Sequence, residues 1–282
     1  MKKRIWIGLA TALFVMSAGA YVYMHFGTVA LGKSSSQKDQ YEADVSRAVP
    51  DKVSQNPVRI PIFIYHSVRP NDSSLPKSAK VFDTTPDILE LELKYLHDNG
   101  YTTISLDELV SYTHAGKLPE GQKPVVLTFD DGLENQHMYA YPLLKKYGVK
   151  ATFFVYPNPI EHNDSRFMSW AQVREIAGTP GMDIGDHTMT HPLLSKATPD
   201  ELTREIVTSK KILEEKIGKP VTHFASPFGY TSQSLVALLK ESGYTTGRTT
   251  TKGTEHTSND LLSLSGYMPH NTLYDFTWSL EH

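Results

Sequence analysis

The chain has 282 residues, with 28 Lys and Arg against 31 Asp and Glu, and this net charge of −3 argues against a nucleic-acid-binding protein. Hydrophobic residues make up 39% and aromatic residues 10% of the chain, which is typical of a globular protein with a sizeable core. Because the chain has no cysteine, disulfides, a thiol nucleophile and thiolate metal ligands are excluded, and any metal site must use His, Asp, Glu or water.

The amino terminus predicts export. Three basic residues at positions 2–4 precede an uncharged, mainly apolar run from residue 5 to about residue 26, which is long enough for one membrane-spanning helix. A cleavable signal peptide is the alternative, because the Ala-Gly-Ala sequence at 18–20 offers a cleavage site. The apolar run continues past that site, which favours an uncleaved anchor. Both interpretations place the rest of the chain either at the extracellular face of the membrane or in the medium.

Three segments are expected along the chain: a transmembrane anchor or signal peptide at 1–26, a polar linker at 27–57, and a folded domain at 58–282. The linker is rich in Ser, Gln, Lys, Asp and Glu and has few large apolar residues, so it cannot bury a core. The remaining stretch of about 225 residues suits one α/β domain better than two small ones.

Within this domain, short runs of β-branched and aromatic residues alternate with helical patterns. The strand candidates are residues 60–65, 101–105, 124–129, 151–156, 182–185, 221–225, 244–248 and 261–264. The alternation predicts an α/β fold with a parallel sheet, of which a (β/α) barrel is the economical closed form. In such folds the functional residues follow the ends of strands.

Two of the predicted helices have readable starts. Thr85 is expected to cap a helix that stops near residue 100, with Ile88, Leu91, Tyr95 and Leu96 on its buried face. A capping-box pattern starts another helix at Thr198. A third helix is expected from about residue 232 to residue 242.

Polar residues follow two of the predicted strands. Asp130 and Asp131 come directly after the strand at 124–129, and His187 and His191 follow the strand at 182–185. The Asp-Gly sequence taken alone is equally compatible with an ordinary turn. Two histidines four positions apart can bind one metal ion, and the proline after the second favours a loop rather than a helix. Together, these residues predict a metal site with two His and one Asp.

The same residues resemble a known family. The Thr-Phe-Asp-Asp-Gly sequence at 128–132 and the His-Thr-Met-Thr-His sequence at 187–191 are similar to the first two signature motifs of the polysaccharide deacetylases, carbohydrate esterase family 4. The resemblance covers the whole predicted domain, including residues 151–155 and 224–229. It implies a distorted (β/α) barrel of about seven strands, similar to a TIM barrel. It also implies a metal-dependent hydrolase that removes acetyl groups from N-acetylated sugars.

The resemblance further implies a role for individual residues. Asp130 would be the general base, and Asp131, His187 and His191 would hold one divalent metal ion. Zinc is the expected ion, and Co²⁺, Ni²⁺ or Fe²⁺ would suit the same nitrogen and oxygen donors. The backbone N–H of Phe228 would stabilise the oxyanion of the reaction.

Two departures from the common family pattern point to one branch. The third motif reads Phe-Ala-Ser-Pro-Phe-Gly at 224–229, where many members carry an arginine, and a Tyr-His pair ends at His66 near the start of the domain. These forms resemble the branch that deacetylates poly-β-1,6-N-acetylglucosamine in biofilm exopolysaccharide, in which the barrel is circularly permuted. In that branch the general acid is the N-terminal histidine, here His66. His270 is the alternative, because other members place this histidine near the C-terminus.

The sequence leaves the substrate open. An N-acetylated exopolysaccharide is favoured; a peptidoglycan or chitooligosaccharide deacetylase is the second interpretation. A non-catalytic glycan-binding protein is the third, because the arginine of the third motif is missing. Candidate substrate-binding residues are Pro227, Tyr230 and Trp170, although such aromatic residues more often belong to the core.

The expected partners follow from these interpretations. They are a polysaccharide substrate and the membrane, through the N-terminal segment, with no nucleic acid and with the chain as a monomer. Arg248, after a predicted strand, is expected to be a solvated cation.

Overall fold

The computed structural model describes residues 54–281, so the expected anchor at 1–26 and most of the expected linker at 27–57 lie outside the described residues. Between residues 54 and 281, no helix is long and apolar enough to cross a membrane. This part of the chain contains one curled, seven-stranded parallel sheet flanked by helices, together with two small two-stranded ladders.

The strands follow the predicted alternation with helices. In chain order they are β1 (Val58–Arg59), β2 (Ile62–Tyr65), β3 (Ser67–Val68), β4 (Asp83–Thr84), β5 (Tyr101–Thr103), β6 (Lys123–Phe129), β7 (Ala151–Val155), β8 (Met182–Asp186), β9 (His223–Ala225), β10 (Thr246–Arg248) and β11 (Glu255–His256). The sheet order is β10-β9-β8-β7-β6-β2, with β5 also beside β6. Strand β1 pairs antiparallel with β11, and β3 pairs parallel with β4.

Helices connect the strands on the outside of the sheet. They are α1 (Pro86–Asp98), α2 (Leu106–Ala115), α3 (Tyr141–Tyr147), α4 (Pro157–Glu161), α5 (Trp170–Ala177), α6 (Pro199–Thr203), α7 (Ser209–Ile217), α8 (Gln233–Glu241) and α9 (Leu273–Glu281). Two π-helical turns, Gln136–Ala140 and Arg204–Thr208, lead into α3 and α7. The predicted N-caps are confirmed at Thr85 and at Thr198, which forms a capping box.

The sheet curls until its two edges come close to one another. Leu264 bridges to Arg248 on β10, and Tyr267 bridges to Phe63 on β2, so residues 264–267 lie between the edge strands. The strand predicted at 261–264 is wrong except at its last residue. Leu261–Ser263 forms a 3-10 turn instead, because the Ser263 N–H donates to the Asp260 carbonyl at 2.8 Å.

Alternate residues of the strands enter two different apolar clusters. Ile62 and Val126 belong to a smaller cluster, and their neighbours Phe63 and Leu127 belong to a larger one that includes residues of the surrounding helices. Such burial of both faces is typical of parallel strands. Polar side chains at the strand ends are therefore the ones available for chemistry.

One predicted helix face is wrong in detail. Leu91 of α1 is 47% exposed, whereas Glu92 is fully buried beside Leu89 and Leu93. The Tyr65 hydroxyl donates to Glu92 at 2.9 Å, so the buried carboxyl group has a partner inside the protein.

Candidate active site

Three side chains with metal-binding donors meet at the carboxyl end of the sheet. Asp131 follows β6, and His187 and His191 lie in the loop after β8, as the sequence predicts. Asp131 Oδ1 is 3.6 Å from His187 Nε2 and 3.5 Å from His191 Nε2. In the part of the chain that the structure describes, these residues form the one group of three potential ligands whose donor atoms all lie within 4.8 Å of one another.

The chemistry of these donors fits a divalent cation. His187 Nδ1–H donates to the Ala225 carbonyl at 2.7 Å, so Nε2 presents its lone pair toward Asp131. Burial lowers the pKa of His187 to about 3, which keeps the imidazole neutral as a metal ligand must be. Burial disfavours the ionised form of Asp131 and raises its pKa to about 6. A bound cation would favour the ionised form and lower this pKa.

The loop that carries the two histidines has an unusual backbone. Thr188 has φ 67° and His191 has φ 57°, in the left-handed region that residues with a side chain rarely adopt; Asp131, in the separate loop after β6, has φ 76°. Hydrogen bonds hold this conformation, because the Thr188 N–H donates to Asp186 at 2.8 Å and the His191 N–H donates to the Thr188 hydroxyl at 3.0 Å. Strain that persists in this way is common at functional sites.

Glu205, in the second π-helical turn, holds the middle of this loop. The N–H and the hydroxyl of Thr190 both donate to its carboxylate at 2.8 Å, and the Met189 N–H donates to its carbonyl at 2.9 Å. Ser209, the first residue after the turn, donates to Asp186 at 2.7 Å. Glu205 in the wide turn and Ser209 directly after it thus hold the histidine loop and the end of β8.

Asp130 lies next to the three potential ligands and pairs with a buried arginine. Nη2 of Arg248 donates to both carboxylate oxygens of Asp130, at 2.5 Å for Oδ1. Burial alone would raise the pKa of Asp130, but the positive charge of Arg248 holds it below its usual range.

The expectation that Arg248 is a solvated cation is wrong, because its side chain is 1% exposed. Arg248 is the last residue of β10, so it lies at the carboxyl ends of the strands, as Asp130 does. Its guanidinium carbon lies 5.4 Å from the centroid of the Phe154 ring. The third motif of this chain, at residues 224–229, has no arginine. Arg248 is the arginine that lies beside Asp130 instead.

His66 approaches Asp130 from the end of β2. Its Nε2 lies 3.8 Å from Asp130 Oδ2, and its ring centroid is 5.0 Å from that of Phe82. His270 is exposed and does not line the site, although Met268 does. Of the two candidate general acids, His66 is therefore the one beside Asp130.

A cavity of about 310 Å³ joins these groups. Its lining residues are His66, Phe82, Asp130, Asp131, His187, His191, Ser226, Phe228, Thr250 and Met268. Phe228 has φ 57°, and its ring lies edge-on to His191 with centroids 4.9 Å apart. The predicted catalytic and metal-binding residues are thus brought into one cavity.

The three predicted substrate-binding residues do not line this cavity. Pro227 is buried, and Tyr230 packs against the larger apolar cluster. Trp170 donates from Nε1 to Glu161 at 2.6 Å, and the Lys216 ammonium lies 5.3 Å above its ring. These contacts give Trp170 a structural role on α5.

Sequence reasoning missed several residues of the cavity wall. Ser226 and Thr250 follow β9 and β10 closely, so the rule that functional residues follow strand ends could have found them. Phe82 and Met268 carry no comparable sequence signal, because they lie in irregular segments.

Comparison with known proteins agrees with this geometry. The sequence pattern of the family described as polysaccharide deacetylase matches residues 117–247. YxkH of Bacillus subtilis, whose name assigns it to the polysaccharide deacetylases, is 33% identical over 78% of this chain and 74% of its own length. A peptidoglycan-N-acetylglucosamine deacetylase of Bacillus cereus is 30% identical over 46% of this chain and 58% of that protein. A poly-β-1,6-N-acetyl-D-glucosamine N-deacetylase of Staphylococcus aureus is 26% identical over 59% of this chain and 61% of that protein.

Comparison of the fold with solved structures also indicates similarity to deacetylases. The structure of the Streptococcus pyogenes deacetylase PplD in complex with acetate is 29% identical, with a TM-score of 0.73 over 80% of this chain and 100% of that chain. The present chain spans less than two thirds of the Bacillus cereus and Staphylococcus aureus relatives. Its sequence and fold together place this chain in the polysaccharide deacetylase family, carbohydrate esterase family 4, whose members are metal-dependent hydrolases of N-acetyl groups.

Proposed function

We propose that this protein is a metal-dependent N-deacetylase that removes acetyl groups from N-acetylglucosamine units of an extracellular polysaccharide, with poly-β-1,6-N-acetylglucosamine as its substrate. The observation that carries the proposal is the cavity in which an arginine-paired carboxylate, Asp130, adjoins both His66 and the potential metal ligands. Residues 58–282 would be the catalytic domain.

Asp131, His187 and His191 are the residues that would hold the metal ion. A divalent ion at these donors would polarise the acetamide carbonyl and lower the pKa of water. Zinc is the proposed ion, and Co²⁺, Ni²⁺ and Fe²⁺ suit the same nitrogen and oxygen donors.

Asp130 is the proposed general base. Arg248 keeps its pKa low against the effect of burial, so the carboxylate is ionised at neutral pH and can take the proton of the attacking water. Attack on the acetamide carbon produces a tetrahedral oxyanion, and the backbone N–H of Phe228, in the cavity wall, is its proposed donor.

His66 is the proposed general acid. An amine leaves an amide readily only when its nitrogen gains a proton, and protonated His66 would donate that proton as the C–N bond breaks. The products are acetate and the free amine of the sugar. His270 is exposed and does not line this cavity, so it has no comparable position beside Asp130.

Two features support the β-1,6-linked substrate. The proposed acid comes from the Tyr-His pair ahead of the Asp-Asp motif, and the third motif has its Phe-Ala-Ser-Pro-Phe-Gly form. The Staphylococcus aureus relative carries this substrate in its name. The Bacillus cereus relative, whose name specifies peptidoglycan, supports a β-1,4-linked cell-wall glycan as the second candidate.

Acetate release tests the proposal. The enzyme is incubated with β-1,6-linked and β-1,4-linked N-acetylglucosamine oligomers of equal length, with and without a chelator. We expect chelator-sensitive release that is faster on the β-1,6 oligomer. Release from the β-1,4 oligomer alone would move the substrate to cell-wall glycans, and no release from either by the metal-loaded protein would contradict deacetylase activity.

The location is also a proposal. The apolar run at residues 5–26 would hold the catalytic domain at the extracellular face of the membrane as a monomer, or would be cleaved to release it. Fractionation of cells with an antibody against the catalytic domain distinguishes the two, because cleavage would move the protein to the medium.

A further inference from the structure

Gln136 is a buried amide that joins the two proposed proton-transfer residues. It begins the π-helical turn Gln136–Ala140, six residues after Asp130. Its Nε2 donates to the backbone oxygen of His66 at 2.7 Å and also to the backbone oxygen of Asp130. Its Oε1 is buried and has no hydrogen-bond partner within residues 54–281. A buried oxygen without a hydrogen bond lowers the stability of the folded protein. The presence of Gln136 in spite of this cost indicates that the two hydrogen bonds from its Nε2 have a role.

The strand geometry explains why a side-chain donor is needed at this point. Strands β2 and β6 are parallel neighbours up to the pairing of Tyr65 with Phe129, and the Asp130 N–H still donates to the Tyr65 carbonyl at 2.8 Å. Beyond this bond, the carbonyls of His66 and Asp130 both face the amide nitrogen of Gln136. An NH₂ group has two donors and therefore suits two neighbouring carbonyl oxygens.

The residue before Gln136 extends the same attachment. Oδ1 of Asn135 accepts the Val68 N–H at 3.1 Å, and its Nδ2 donates to the Ser67 hydroxyl at 3.0 Å. The adjacent side chains of Asn135 and Gln136 thus hold three successive residues, which begin at His66. A π-helical turn is wider than an α-helical one and is a frequent feature of functional sites.

Gln136 bridges His66 and Asp130, and these two residues differ in their other contacts. The carboxylate of Asp130 is fixed by Arg248 independently of Gln136. The side chain of His66 is held more loosely: among residues 54–281 its neighbours are Asp130, with Nε2 and Oδ2 3.8 Å apart, and the Phe82 ring, with centroids 5.0 Å apart. Loss of the amide would therefore displace His66 more than Asp130.

We propose that Gln136 is a positioning residue that holds His66 where it can donate a proton to the leaving nitrogen. This inference rests on the proposed function, in which His66 is the general acid. A proton donor must approach its acceptor to about 3 Å. A displacement of about 1 Å can cost about 10²-fold in rate.

Two substrates that differ in their leaving group test the proposal. An N-acetylglucosamine oligomer releases an amine that needs a proton, whereas 4-nitrophenyl acetate releases a phenolate that does not. In Gln136→Met, which keeps the length but lacks the donors, we expect kcat to fall by about 10²-fold on the oligomer and to change little on the ester. His66→Ala should show the same selective loss, whereas Asp130→Asn should lose activity on both substrates.

Equal loss on both substrates in Gln136→Met would overturn the proposal, because the residue would then support the whole site. Unchanged activity on the oligomer would overturn it as well. If Gln136→Met does not fold, Asn135→Ala releases Ser67 and Val68 instead and should show a smaller loss that is again confined to the oligomer. A wild-type enzyme that hydrolyses the ester but none of the oligomers would contradict the proposed function, and this inference with it.

Discussion

Arg248 and Asp130 form a buried ion pair between residues 118 positions apart, in which one guanidinium nitrogen donates to both carboxylate oxygens. Arg248 is the last residue of β10 and Asp130 directly follows β6, and these strands are separated in the sheet by β9, β8 and β7. They meet because the sheet curls and brings its strand ends around a common cavity. The pair keeps Asp130 ionised in a place where burial would otherwise favour the neutral acid.

Removal of the arginine should shift the pH dependence of the reaction. In Arg248→Met the pKa of Asp130 should rise, since burial then acts without the opposing charge. A general base works when it is ionised, so the acid limb of kcat/KM should move to higher pH. The profile of kcat/KM against pH measures this shift, and an unmoved acid limb would contradict the role of Arg248.

The same variant should also be less stable. An unpaired buried charge costs about 3–5 kcal/mol, which urea unfolding at neutral pH can detect. The double variant Arg248→Met with Asp130→Asn is the matched control, because it removes both charges. It should recover a large part of the lost free energy of unfolding; if it is as unstable as Arg248→Met, lost packing rather than lost charge pairing is the cause.

Replacement of the base alone should separate chemistry from metal binding. Asp130→Asn keeps the size of the side chain but cannot accept the proton, so turnover should fall by at least about 10²-fold. Affinity for Zn²⁺, measured by competition with a chromophoric chelator, should remain close to that of the wild type, because Asp130 is outside the ligand group. Full activity in this variant would contradict the assignment of the base.

Glu205 should influence the metal site without touching the metal. Glu205→Gln leaves one oxygen for the two donors of Thr190, so the loop between His187 and His191 becomes less constrained. Loss of such supporting contacts typically lowers metal affinity by about 10- to 100-fold. Competition for Zn²⁺ measures the effect. Glu215→Gln, an exposed position on α7, is the control and should leave the affinity unchanged; equal affinities in the two variants would contradict the prediction.

Glu92 should make the protein less stable at alkaline pH. Burial raises its pKa from the ordinary 4.5 to about 8, although the Tyr65 hydroxyl acts in the opposite direction. Between these values the folded state binds a proton that the unfolded state has lost, so the free energy of unfolding falls as pH rises from 4.5 through about 8. Glu92→Gln lacks this titration. Urea unfolding of both proteins at pH 6 and pH 9 should show a steeper loss for the wild type, and equal losses would contradict the prediction.

Much of the architecture follows from short-range sequence patterns. The N-caps at Thr85 and Thr198 are recognisable because capping depends on residues within one turn of each other. Seven of the predicted strands correspond to observed strands within two residues at each end, since buried apolar runs bounded by turns specify them locally. The sequence predicted that α1 buries Leu91, whereas the structure buries Glu92, because the hydrogen-bond partner of Glu92 is Tyr65 of β2, which is distant in the sequence.

The three potential metal ligands can be recognised in the sequence alone, because Asp131 lies two residues after a buried strand and His187 and His191 lie in one short motif. The combination of the other polar residues depends on the tertiary structure. The pairing of Asp130 with Arg248, the nearness of His66 rather than His270, and the bridge through Gln136 all depend on strand order and on the curl of the sheet. Both result from packing over the whole domain, which brings together residues that no local pattern relates.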